Sequence, residues 1–350
     1  MPSDSRAIIG CLLGTAAGDS LGLPYEGLTP QRAARILGVP LRQRFLFGYG
    51  MVSDDTDHTC LVAESLLLSQ QNPELFLRLL SRRLRFWLLS LPAGVGKATA
   101  LALFKSWLGF GVKTSGVYSA GNGPAMRSAI LGVLLSDKQQ LAEFVRLSTR
   151  ITHTDPKAEW GALAIALAAR QSADLQCDGR LLLNDLKALT GGSEAEELLT
   201  SLQQVIDSVG LGEKTERFAH SENLSAGITG YMYHTVPMVL HVWLSHPTDY
   251  RRAIQEIILL GGDADSTAAI LGGIIGARVG KDGIPREWLK ILAWPRDLAW
   301  MEKLGEELAN KADSKITARR SFSVLATLPR NLIFLAVVLV HIFRRCLPPY

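Results

Sequence analysis

Residues 53–59 read SDDTDHT and gather three carboxylates, Asp54, Asp55 and Asp57, beside His58. A second acidic motif, GGDADSTAAILGGIIGARVG, starts at Gly261 and sets Asp263, Asp265 and Ser266 ahead of a run of small residues. One Asp or Ser is enough to cap a helix, because it need only accept from the free amides of the first turn. The surplus oxygens call for another role. Two carboxylates about 4 Å apart at an effective dielectric near 20 repel by roughly 4 kcal/mol, so a folded cluster must hold a proton or bind a cation. Hard oxygen donors suit Mg²⁺, Mn²⁺ or Ca²⁺, and they suit copper or thiolate-bound zinc poorly. Taken singly, each motif also reads as a solvated helix start. The hydroxyl-plus-Asp chemistry common to both is what favours a shared cation site.

The elements that must position these residues read as helices. Apolar positions recur at helical spacing in 60–69, 75–91, 126–135, 158–170, 198–209, 251–260 and 266–278, and strand-like alternation is hard to find. Clusters of Gly, Pro and Asn such as LPAGVGK and LSHPTD separate the runs, and no segment has the composition of a flexible linker. One mainly helical domain to about residue 300 is therefore expected, followed by an extension over 301–350. Gly10, Gly14, Gly18 and Gly22 fall four apart, as do the pairs Ala268/Ala269, Gly272/Gly273 and Gly276/Ala277. Small residues on one face let helix backbones approach closely, so both stripes read as packing surfaces. Each adjoins an acidic motif.

Composition narrows the function classes. The 350 residues are 47% hydrophobic, enough for a substantial core. The net charge of +4 comes from 37 basic and 33 acidic residues that are mostly interspersed, which leaves no broad nucleic-acid or lipid footprint. Cys11, Cys60, Cys177 and Cys346 lie far apart with no CxxC pair, which argues against a zinc ribbon or a disulfide framework and fits a reducing cytoplasm. The start MPSDSRAIIG lacks the basic, continuously apolar pattern of a secretion signal, so a cytoplasmic location is expected. GVGKAT at 94–99 is not a P-loop: Leu91 stands where the first Gly belongs, and Ala98 follows the Lys in place of Ser or Thr.

GCLLGTAAGDSLGLPYEG, SDDTDHT, SAGNGPAMR, ITHTDPKAEWGA, GYMYHTVPMVL and GGDADSTAAILGGIIGARVGKDGIPREWL, in this order from about residue 7 to about residue 294, resemble the ADP-ribosylglycohydrolase family, the relatives of dinitrogenase reductase-activating glycohydrolase. The resemblance implies an all-α orthogonal helical bundle with two divalent cations, Mg²⁺ or Mn²⁺, at the bottom of a cleft. It assigns Ser53, Asp54, Asp55, Asp263, Asp265 and Ser266 to the cations, with Asp55 and Asp265 central to catalysis, and leaves Asp57 without a ligand role. Ser53 and Ser266 stand where many relatives carry Thr, which keeps the ligating oxygen, and Ala264 replaces a frequent Thr.

The same resemblance implies an ADP-ribose pocket. Ser119, Ala120, Gly121, Asn122, Gly123 and Met126 belong to the loop SAGNGPAMR, where glycines would let bare amides face a diphosphate and a helix from Pro124 would aim its positive end there. Without the resemblance, that loop reads as a capping turn with Pro at N1. His153 would line the pocket, Tyr231 would offer an aromatic face to the adenine, and Glu26 would act as general acid or base or gate the cleft. The implied activity is hydrolysis of ADP-ribose from a modified protein side chain or small molecule. The alternative is a non-catalytic ADP-ribose binder or partner-blocking protein. In the tail, LIFLAVVLVHIF over 332–343 is too short for a bilayer, where about 20 residues are needed, and is expected to pack as a buried C-terminal helix, with membrane-surface or partner docking as the alternative.

Overall fold

The computed structural model describes residues 5–345 apart from 41, 46–47, 93, 192–194, 291, 293–294 and 311–323; Cys346 lies outside them. Helices account for the described architecture, and no strand occurs among the described residues. The first half of the chain forms α1 (Ser5–Gly22), α2 (Pro30–Ile36), α3 (Asp54–Ser69), α4 (Pro73–Leu88), α5 (Lys97–Trp107), α6 (Ala129–Leu134), α7 (Lys138–Arg150) and α8 (Pro156–Ala173). The second half forms α9 (Gly179–Thr190), α10 (Glu196–Gly210), α11 (Thr215–Ser221), α12 (Met232–Ser245), α13 (Tyr250–Leu259), α14 (Ala264–Val279), α15 (Arg286–Leu289), α16 (Leu298–Ala309) and α17 (Val324–Arg345).

The small-residue stripes account for the centre of the bundle. A Cβ placed on Gly10, Gly14, Gly18 or Gly22 would stand 2.1, 2.1, 2.0 or 2.4 Å from the carbonyl oxygen of Gly276, Gly272, Ala268 or Ala264, respectively. α1 and α14 thus run antiparallel with their backbones in contact. That arrangement puts the end of α1 beside the start of α14 and so carries Glu26 toward Asp263 and Asp265. The same device joins α6 to α8, where a Cβ on Gly132 would meet the Ala166 carbonyl at 1.9 Å. Outer helices are ordinarily amphipathic: α4 buries Phe76, Leu80, Leu84 and Trp87 at 3- and 4-residue spacing, and α7 buries Leu141, Phe144 and Val145.

Isolated backbone bridges fasten the loops between these helices. Leu28 and Ile228 both pair with Gly262, Gly121 pairs with Tyr231, and Val117 with His153. Gly262 has φ +78°, and a Cβ there would lie 2.0 Å from the Ile228 carbonyl oxygen, so only glycine fits where three loops meet. The first helix is apolar and long enough to span a membrane by length and composition, but 89% of that stretch is buried inside the protein, as in a core helix.

Candidate active site

Ser53 caps α3: its Oγ accepts from the Asp55 amide at 3.2 Å and donates to Asp55 Oδ2 at 3.0 Å. Ser266, in the first turn of α14, donates its Oγ to that same Asp55 Oδ2 at 3.2 Å. The two acidic motifs, 211 positions apart at this contact, therefore meet. Asp54, Asp263, Asp265 and Ser266 line a cleft of about 380 Å³, with Glu26 among its lining residues. Ser53 and Asp55 lie beneath it and are buried.

Burial and mutual repulsion set the electrostatics of this floor. Desolvation, then the neighbouring carboxylates, push Asp54, Asp55 and Asp265 well above the ordinary carboxylate range, and burial raises Asp263. Asp55 Oδ1 and Asp265 Oδ1 are buried with no hydrogen-bond partner. Among the described residues no three His, Cys, Asp or Glu side chains already stand in a ready metal cage. The donor chemistry nevertheless fits hard divalent cations, because two orphaned carboxylate oxygens in a crowded, desolvated acidic floor lack exactly the positive partner such an ion supplies.

Asp19, which the sequence reading did not single out, holds this floor together. It projects from α1, fully buried, and accepts from the Ser53 amide at 2.9 and 3.1 Å, the Thr56 amide at 3.2 Å and the Thr56 hydroxyl at 2.5 Å. Burial raises its carboxyl to about 6 against the lowering effect of these donors. Its only sequence signal was an acid inside an otherwise small and apolar helix.

Asp57 lies two residues beyond Asp55 and so on the opposite side of α3. It is buried, takes a bond from Trp87 Nε1 at 2.9 Å, and is ion-paired to Arg296 and to Arg330, the latter at 2.7 Å. Both guanidinium groups hold its carboxyl below the usual range despite burial. Asp57 is thus buried and neutralised by cations of the protein itself. His58 packs edge-on against Trp87 and faces Arg127 at 3.3 Å; burial, then Arg127, keeps it neutral, and it takes no part in the cleft.

The opposite wall of the cleft is the glycine loop. Ser119, Gly121, Asn122, Gly123, Met126 and His153 line it. The Asn122 amide donates to the Gly230 carbonyl at 2.9 Å and the Gly121 amide to Ser119 Oγ at 3.3 Å, so two of the expected bare amides are already engaged. The glycines also leave room for a neighbour: a Cβ on Gly121 or Gly123 would press the His153 ring at 3.1 or 3.2 Å. The side chain of Asn122 reaches across to the acidic floor and donates to Asp263 at 2.6 Å. Pro124 opens a single 3-10 turn, Ala125–Arg127, in place of the regular helix expected there. Beneath it the buried Arg127 ties the Gly123 carbonyl, Ser148 and Thr152 together. Burial, then Arg127, depresses His153 to about 3, which fixes it as a neutral ring hydrogen-bonded to Thr152.

Two members of the expected pocket sit outside the cleft lining. Ala120 contributes its carbonyl to the Met232 amide at 2.8 Å, and the Tyr231 hydroxyl is held by Lys157 at 3.0 Å. Conversely, Gly94, Gly96, Lys97, Ala98 and Thr99, rejected as a P-loop, line the cleft. Loop proximity rather than motif chemistry puts them there, so the sequence carried no usable signal.

The sequence profile of the family described as ADP-ribosylglycohydrolase matches residues 1–317. A protein of Archaeoglobus fulgidus with no assigned activity is 30% identical over 306 residues, covering 85% of this chain and 94% of its own. The ADP-ribosyl-[dinitrogen reductase] glycohydrolase of Rhodospirillum rubrum is 26% identical, covering 83% and 92%. A solved chain of an "ADP-ribosylglycohydrolase-related protein complex" superposes with a TM-score of 0.64 at 25% identity, covering 89% of this chain and 99% of that one. The all-α fold expected from sequence is borne out.

Proposed function

Because the chain belongs to the ADP-ribosylglycohydrolase family, we propose that it hydrolyses the bond between the anomeric carbon of ADP-ribose and a protein side chain or small acceptor, with divalent cations as cofactor. The observation that carries this reading is the Ser266–Asp55 contact, which joins both acidic motifs at the floor of a cleft walled by the glycine loop.

In this reading Ser53, Asp54 and Asp55 hold the cations from one side and Asp263, Asp265 and Ser266 from the other. Bound Mg²⁺ or Mn²⁺ supplies Lewis-acid polarisation and a more acidic water. Asn122 orients Asp263 by its hydrogen bond and couples the substrate wall to the floor. The neutral ring of His153 shapes the wall without adding charge beside a diphosphate. In the same reading Glu26, an exposed acid at the cleft whose neighbour Gly27 donates its amide to the Gly262 carbonyl at 2.8 Å, moves a proton to or from the water or leaving group.

Release of free ADP-ribose from arginine-, serine- and nucleobase-linked substrates is the test, run with Mg²⁺ or Mn²⁺ and again after chelation. Turnover on one linkage, lost with chelator and restored by metal, is expected. Absence of turnover on all three with metal present, or equal rates after chelation, would overturn the reading.

A further inference from the structure

α17 is amphipathic in the wrong sense for a helix that merely covers a core. Two of its polar side chains face inward: Arg330 pairs with Asp57, and Asn331 donates to the Ser90 carbonyl at 2.8 Å and to Ser90 Oγ at 3.0 Å. Its apolar side chains face outward, with Leu332, Ile333, Leu335, Leu339, Val340 and Phe343 all exposed, from 36% to 69%. Phe334 is inserted in a small cluster with Leu23 and Met51, and the half-buried Val338 packs against it, so the helix rests on the protein by a narrow seam and is not the buried helix expected from sequence. The family match ends at 317, so this helix lies beyond it.

The sequence of this tail carries charge of one sign. From Ser314 to Tyr350 the sequence holds Lys315, Arg319, Arg320, Arg330, Arg344 and Arg345 and no acid. Ser90, which receives Asn331, lies two residues beyond the end of α4, and residues 75–113 hold seven Lys or Arg and likewise no acid. That neighbouring surface exposes Leu89 and Leu91, and on α5 Phe104 and Trp107, with the Arg85 guanidinium 4.8 Å over the Trp107 ring. Arg330 and Arg83 are engaged by Asp57 and Glu64, but exposed aliphatic and aromatic side chains interleaved with further basic groups, the exposed Arg78 and Arg82 among them, complement the acyl boundary and headgroups of an anionic membrane. A spanning role does not fit. Arg330 is anchored in the protein, and the 14 residues from Leu332 to Arg345 measure about 21 Å as a helix, short of a hydrocarbon core of about 30 Å.

We propose that the outward apolar face of α17, flanked by the basic ends of α4 and α5, docks the protein flat on an anionic lipid surface. The loop after Leu91 contributes Gly94, Gly96 and Lys97 to the cleft, so docking brings the cleft wall and the lipid face onto one loop.

Co-sedimentation of the full chain with phosphatidylcholine vesicles, with and without phosphatidylglycerol, tests this. Binding is expected only with phosphatidylglycerol and should weaken with salt. The double variant Leu339→Glu/Phe343→Glu, verified as folded by its melting curve, is expected to bind at least about tenfold more weakly. Three outcomes would overturn the proposal: no binding to anionic vesicles, equal binding by the variant, or a concentration-dependent dimer in sedimentation velocity that the variant abolishes, which would assign the face to a second copy of the chain.

Discussion

The acidic floor is a set of carboxylates held where they are least stable as anions, and each has a distinct expected response. Asp55→Asn and Asp265→Asn keep the shape but halve the anionic oxygens, and ADP-ribose release should fall by about 10²–10³-fold while the far-ultraviolet circular dichroism is unchanged. Asp19 touches neither cleft nor substrate; it fixes the amides of Ser53 and Thr56. Asp19→Asn should therefore raise the Mg²⁺ concentration needed for half-maximal activity by about 10–100-fold, with a smaller loss at saturating metal. A loss that saturating metal does nothing to recover would show a purely structural role. Carboxyls raised in the folded state take up protons on folding, so the stability they lend is fully present below the ordinary carboxylate range and is lost as pH rises from there to their folded values, a loss complete near 6 for Asp19. His58 and His153, buried neutral, act oppositely and cost stability as pH falls, so a bare pH–melting curve mixes the two effects. The increment on adding Mg²⁺ isolates the carboxylates: it should be larger at about pH 7.5 than at about pH 5.5, by on the order of 5 °C in melting midpoint. An increment independent of pH would argue against cation binding at this floor.

At the scale of elements, the site exists because α1 and α14 touch backbone to backbone. Gly14→Ala would drive a methyl to 2.1 Å from the Gly272 carbonyl, with backbone rather than a pliant side chain in the way. A cost of about 3 kcal/mol or more is expected in urea denaturation, against well under 1 kcal/mol for Gly210→Ala, where a Cβ meets nothing. This pairing was legible in sequence as four-residue stripes, and so were the helices, because periodicity survives without any knowledge of partners. The convergence of the two acidic motifs was legible only through their shared chemistry and the family resemblance. Asp19 was not, since its meaning depends on amides 34 and 37 positions away that no local pattern reveals. The glycine loop was half legible: its position at the cleft was expected, but the bonds that occupy two of its amides come from Ser119 and from Gly230, and the latter belongs to a separate segment.

At the scale of the whole molecule, α17 is tied to the first turn of α3 by a buried charge cluster. Asp57 has no exposed surface and depends on Arg296, Arg330 and Trp87 for compensation. Removing one guanidinium leaves a carboxylate only partly balanced in a place water cannot reach, and removing both partners of a buried pair costs far less than removing one. Arg330→Met should therefore destabilise by about 3–5 kcal/mol, Asp57→Asn by a similar amount, and the double variant by much less than their sum. Because Asp57 is in the helical turn that presents Asp54 and Asp55, Arg330→Met should also weaken activity where the double variant regains part of it. Urea denaturation of the four proteins, with the hydrolysis rate measured on the same samples, gives the coupling directly. Additive effects on stability would mean that the tail helix rests on the bundle without this ion pair holding it, and that α3 keeps its first turn by its own caps alone.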